Sequence, residues 1–386
     1  MKDKPLDNRT LLVLGAGASI GAAKYPIESS LREAMAKMPS GDNFFHDLFF
    51  QGKTDTHGKR YLNVLGLTNE GVNNLIVRAW ALKNNLEHFD PDEWRQINIE
   101  EVFTFLDIGE RMYPKGTRYQ RGFRACRSEL KAFITSFLSV KSEGFHCEHL
   151  MDILFALQPT DTIISFNWDT IADFTLQQAG SPHFAGYLDL MTAARLRVSD
   201  FVHRGVLIKL HGSLNWMVCP NPQCPRYGKV RLAVENGKLL RFFGMHRCPT
   251  CGNERGEPFI VPPTSQKFIR RGTILYRLWL LAREQLPYFR NIVFIGYSFP
   301  TTDFYSEWLF RQIYFVEGKR PVIIIVNPEI MKARSALTER YNRIFRDCTI
   351  HRFPTLERFR SKGLGLLRTG DRELTTACSV AKAEES

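Results

Sequence analysis

The chain has 386 residues, 44% of them apolar and 24% charged, which excludes wholesale disorder and fibrous repeats and leaves no need for a disulfide framework. Its 52 Lys and Arg against 40 Asp and Glu give a net charge of +12, an excess that suits an anionic partner, nucleic acid included, as well as plain solvation. No apolar run approaches the roughly 18 residues of a membrane span, and Lys2, Asp3 and Lys4 open the chain without a secretory pattern. A soluble cytoplasmic protein without membrane contact is expected.

The first predicted strand, residues 11–14, runs into Gly15-Ala16-Gly17-Ala18-Ser19-Ile20-Gly21. Glycines here let a backbone approach a pyrophosphate that the following helix N-terminus stabilises. Ile20 stands at the third glycine position of the dehydrogenase fingerprint, and a tight strand-to-helix turn explains the run equally well.

Residues 41–159 read as a mainly helical insertion. Val72, Leu75, Ala79, Leu82 and Leu86 recur at helical spacing, as do Ile99, Val102, Phe103 and Leu106, and then Cys126, Leu130, Phe133, Ile134, Phe137 and Leu138. Residues 112–131 carry six bases against Glu129, placed by this spacing on an outer helix face. The Phe-rich stretch 41–58 fits no element.

Four further apolar runs read as buried strands: 162–166, 206–210, 292–295 and 322–326. They are rich in aliphatic and β-branched residues, as parallel strands covered on both faces require. They end in Asn167-Trp168-Asp169, His211-Gly212-Ser213, Gly296-Tyr297-Ser298 and Asn327-Pro328-Glu329. Ligands of open α/β sheets bind outside the carboxyl ends of strands, so unusual chemistry at every strand end marks a site. The predicted fold is α/β, a Rossmann-like parallel sheet built from residues 1–40 and 160–330.

Between the third and fourth runs lies a small module at 215–255. Cys219 and Cys224, then Cys248 and Cys251, have the spacing of a closed tetrahedral zinc site. His246 is a substitute ligand, and a disulfide pair is the alternative that a reducing cytosol disfavours. Cys126, Cys147, Cys348 and Cys378 are isolated. Residues 331–373 hold eleven bases against five acids. There Leu337, Ile344, Phe353, Leu356 and Phe359 interleave with arginines, a mixture that predicts an assembly surface in 331–386, followed by a disordered tail.

The order of these motifs resembles the sirtuin family, the NAD-consuming proteins of the silent-information-regulator type. That family carries Gly-Ala-Gly-x-Ser, Asn-x-Asp with Ala-Gly beyond it, His-Gly, a four-cysteine zinc module, Gly-x-Ser and a later Asn. Here these are Gly15–Ser19, Asn167 and Asp169 with Ala179-Gly180, His211-Gly212, the four cysteines, Gly296–Ser298 and Asn327. Departures accompany the matches. Deacylating members follow the glycine run with Gly-Ile-Pro-Asp-Phe-Arg, where this chain has Lys24-Tyr25-Pro26-Ile27-Glu28. Phe166 replaces a Gln, and Phe259-Ile260-Val261-Pro262-Pro263-Thr264 replaces the segment that pairs with the acylated peptide. Two prolines there remove donors that such pairing needs.

The resemblance implies an NAD⁺ hydrolase releasing nicotinamide and ADP-ribose, similar to divergent bacterial anti-phage NADases. The alternatives are an NAD-dependent protein deacylase and a non-catalytic NAD or ADP-ribose sensor. It also implies catalytic roles for Asn167, Asp169 and His211, with His211 as general base, and NAD⁺ contacts from Gly15, Ala16, Gly17, Ser19, Pro26, Gly296, Ser298 and Asn327. Ser19 and Ser298 would donate to phosphates and Asn327 would hold the adenosine ribose. The expected ion is a structural Zn²⁺. The expected partners are further copies of the chain and a defence protein such as a hexameric ATPase or an Argonaute-type sensor.

Overall fold

The computed structural model describes residues 9–23, 99–117, 119–124, 127, 131, 138, 148–192, 197–219, 221–235, 237–239, 248, 250–252, 257–261, 269, 271–300, 303–315, 320–332 and 334–369. The described strands are β1 (Arg9–Leu14), β2 (Thr162–Ser165), β3 (Leu207–Lys209), β4 (Gly212–Val218), β5 (Arg231–Leu232), β6 (Val234–Glu235), β7 (Lys238–Leu239), β8 (Glu257–Ile260), β9 (Phe289–Ile295), β10 (Val322–Val326) and β11 (Ile350–Phe353).

Six of them form one sheet in the order β3-β2-β1-β9-β10-β11, every neighbour parallel. This is the doubly wound order, in which the direction of strand addition reverses between β1 and its neighbour β9. All five strands predicted from apolar runs lie in it. Their residues are buried on both faces, and Ile292, Val293, Phe294, Ile323 and Ile324 are wholly enclosed. Each such side chain contributes about 1.5–3 kcal/mol over an exposed one.

Helices cover the sheet. Pro182–Thr192 and Ile274–Gln285 pack on β3, and Glu148–Ala156 packs against Ala16–Ala23 and Leu356–Lys362. Several begin where a hydroxyl caps them: Thr273 accepts from Tyr276 N–H, Ser335 from Thr338 N–H and Thr355 from Arg358 N–H. Among the described residues no helix is long and apolar enough to cross a membrane.

Two expectations change. Residues 331–369 are part of the main fold and not an appended segment. β11 is an edge strand of the sheet, and Leu337, Ile344, Leu356 and Phe359 are buried in this chain's own core. The amphipathic pattern there reflects one face turned inward. The charge of 112–131 is also partly neutralised: Arg124 pairs with Glu110, and Arg127 with Asp107 and Glu110, on the helix Ile99–Met112. Within the expected insertion, Ile99–Met112, 119–124 and Glu148–Ala156 are helical. Residues 41–98, the helix at 72–86 and the tail 370–386 lie outside the described residues.

A three-stranded antiparallel sheet, β5-β4-β8, grows from the carboxyl end of β3. Only Leu210 and His211 separate β3 from β4, and Val261 N–H donates to the His211 carbonyl at 2.8 Å. β4 then runs directly to Cys219. The cysteine module and the strand-end chemistry thus share one short strand.

Candidate functional site

The strand-end residues converge at the reversal point of the sheet. Gly15 N–H donates to Ile295 O at 3.0 Å, and Gly17 N–H to Gly296 O at 2.9 Å. A Cβ on Gly17 would lie 2.7 Å from Gly296 Cα, and Gly296 itself has φ +59 with Gly17 and Ala18 backbone atoms at 2.2 Å from its would-be Cβ. The glycines therefore let two backbones touch across β1 and β9, and only glycine meets both demands. Ala16 and Ser298 stand exposed on either side of this contact.

Behind it, the β2 loop is locked to the first helix. Asn167 Nδ2 donates to Gly15 O at 2.8 Å and to Ser19 Oγ at 3.1 Å, and Ser19 Oγ donates to Asp169 Oδ2 at 2.7 Å. A carbonyl can only accept, so the Asn167 amide has one orientation. Both of its amide protons are committed inward, which makes Oδ1 the atom that Asn167 offers to a ligand. Asp169 Oδ1 accepts from Ile171 N–H at 3.0 Å, at the start of the helix Ile171–Gln178. Burial pushes the Asp169 carboxyl above its ordinary value, opposed by the Lys209 charge and by hydrogen bonds from Ser19 and Ile171.

Beneath these groups lies a buried polar chain that the sequence reading passed over. Lys209 and Asp173 are wholly enclosed and paired at 2.8 Å, and Lys209 Nζ also donates to the Asp169 carbonyl. Asp173 Oδ1 accepts from Asn215 Nδ2 at 3.0 Å, and Trp216 Nε1 donates to Tyr187 O–H at 2.7 Å. The signal was a lysine inside an otherwise apolar strand: such a charge needs a partner.

His211 sits beside this group, its ring 5.0 Å edge-on from Phe166, which in turn stacks on Tyr297 at 4.4 Å. Phe166 thus makes an aromatic wall for the histidine. His211 Nε2 lies 3.1 Å from Asp303 Oδ2. Asp303 opens the helix Phe304–Arg311, but its carboxylate does not cap it.

Ser298 and Asn327 reach the same edge of the sheet without joining this network among the described residues. The Ser298 carbonyl accepts from Arg340 Nη1 at 2.7 Å, and Asn327 Oδ1 accepts from Glu329 N–H at 2.9 Å, a capping role. Pro26 lies outside the described residues.

The four cysteines come together as their spacing predicted. Their sulfurs all lie within 4.8 Å of one another, with Cys219 and Cys251 at 3.6 Å and Cys224 and Cys248 at 3.8 Å, and no pair is a disulfide. Metal–sulfur bonds of about 2.3 Å at tetrahedral angles place sulfurs about 3.8 Å apart. Backbone N–H groups of Thr250 and Cys251 hold the Cys248 thiol down to about 6, whereas burial pushes Cys219 up to about 12. The set could hold a metal ion such as zinc, which takes thiolates as ligands. His246 lies outside the described residues.

No protein-family model and no curated protein matches the chain.

Proposed function

We propose that the chain is a sirtuin-like NAD⁺ hydrolase, cleaving the nicotinamide N-glycosidic bond, with a structural zinc in its cysteine module. The observation that carries this reading is the hydrogen-bonded group Gly15–Ser19–Asn167–Asp169 at the reversal point of the sheet, with His211 on the adjacent strand end. Its support from the sequence is the order of the motifs over residues 11–30 and 160–330, which resembles the sirtuin order.

In the reaction, nicotinamide departs with the bonding electron pair, leaving an oxocarbenium-like ribose. Water attacks the ribose C1 and gives its proton to His211, the side chain with an ordinary pKa nearest neutrality. Asn167 Oδ1 accepts from a ribose hydroxyl or from the attacking water. Asp169, with Ser19 and Ile171 already on its two oxygens, braces Asn167. The exposed Ser298 and the first turn of the helix Ala16–Ala23 face the side where phosphates would lie. Zinc would hold the four thiolates together, and Cys219 would thereby anchor the far end of β4.

The test is to incubate full-length protein with NAD⁺, with and without an acetylated peptide, and to follow nicotinamide. Release without peptide is expected, lost in both Asn167→Ala and His211→Ala. Release only with peptide would make the protein a deacylase. Binding of NAD⁺ without release would make it a sensor.

A further inference from the structure

The geometry points to Asp303 as the residue that positions His211, fixing its tautomer and raising its basicity. Asp303 is 1% exposed, and its Oδ2 lies between His211 Nε2 at 3.1 Å and the Tyr297 hydroxyl at 2.7 Å. Burial and the Asp303 charge push Tyr297 well above its ordinary value, so its hydroxyl keeps its proton and donates. Ser306 Oγ lies 2.6 Å from the same hydroxyl and 2.7 Å from the Asp303 carbonyl, which ties the loop to Tyr297. A carboxylate accepting from Tyr297 accepts from Nε2–H as well, which leaves the imidazole lone pair on Nδ1.

Asp303 is a counter-charge for the imidazole. Phe166 and Trp279 flank the ring, with centroids at 5.0 and 6.5 Å, and Tyr297 is neutral. The nearby Lys209 directs its charge to Asp169 and Asp173.

Phe299 has φ +48, a left-handed conformation that strains a bulky side chain. It is held there by Phe294, Phe310 and Tyr341, at ring distances of 5.4, 5.6 and 5.2 Å. The strained turn lies between the glycine contact at Gly296 and Asp303.

The role of Asp303 in turnover rests on the proposed NAD⁺ cleavage, but its hold on His211 is measurable without turnover. In full-length protein labelled with ¹⁵N-histidine, His211 should be the Nε2–H tautomer at neutral pH. In Asp303→Asn its pKa should fall by about one unit. kcat for nicotinamide release should drop by about 10²–10⁴-fold. KM should stay within about threefold, and the acidic limb of the kcat profile should move down in pH. An Nδ1–H tautomer in the unmodified protein would overturn the assignment, and that measurement decides alone if the variant does not fold. An unshifted His211 with kcat within about threefold would overturn it too. If neither protein releases nicotinamide while tautomer and shift are as stated, the positioning of His211 stands and the NAD⁺-cleavage reading falls.

Discussion

Ser19 Oγ donates to Asp169 Oδ2 at 2.7 Å across 150 residues of chain, joining the first turn of the first helix to the loop after β2. The same hydroxyl accepts from Asn167, so one serine sets the orientation of two other site residues. Ser19→Ala leaves a buried carboxylate oxygen without its donor. Stability should fall by about 1–3 kcal/mol in urea titrations, and NAD⁺ cleavage should fall further than stability accounts for. A variant with unchanged turnover would show that Asn167 needs no such brace.

Asn167→Asp tests the amide orientation more sharply. It keeps the shape but turns an oxygen toward the Gly15 carbonyl and Ser19, where Nδ2 donates now. Nicotinamide release should drop by at least about 10²-fold, as for loss of an oriented catalytic group. Activity near that of the unmodified protein would mean that Asn167 acts through charge-tolerant contacts.

The Lys209–Asp173 pair is completely enclosed. Lys209→Met strands Asp173 as a buried charge and should cost about 3–5 kcal/mol. Adding Asp173→Asn to the same protein should recover more than half of that loss, because no lone charge remains. Equal stability of the single and double variants would show that the pair is not the source of the effect.

Burial raises the Asp169 carboxyl above 3.8, with Lys209, Ser19 and Ile171 opposing. A group raised in the folded state contributes stability that is present in full below its unfolded value and lost as pH rises through the folded one. The unfolding free energy of the unmodified protein, relative to Asp169→Asn, should therefore decline as pH rises above the ordinary carboxylate range. A flat difference would show that the Asp169 charge is fully compensated.

The cysteine module should bind one zinc per chain, measurable by elemental analysis of purified protein. Cys224→Ala should remove the metal and lower the thermal midpoint, because Cys224 lies among buried sulfurs at one end of β4. Soluble, active protein without metal would exclude a structural zinc.

The apolar runs at 11–14, 162–166, 206–210, 292–295 and 322–326 were enough to find five of the six sheet strands. Strands buried on both faces must be continuously apolar, a property written in the sequence itself. β11 escaped because, unlike the other edge strand β3, it is only partly buried, and Ile-His-Arg-Phe carries no such run. The four cysteines were equally legible, since a closed metal site demands ligand types at restricted spacings. The sequence also located Asn167, Asp169 and His211 by their places after strands. What it could not supply was their pairing. Ser19 meets Asp169, and His211 meets Asp303, only because a parallel sheet brings distant strand ends side by side. The same holds for Lys209, whose partner is fixed by helix packing, and for Leu337, Ile344, Leu356 and Phe359, which face the chain's own core. Local residue type fixes which elements form; which side chains touch depends on strand order, and strand order is a property of the assembled sheet.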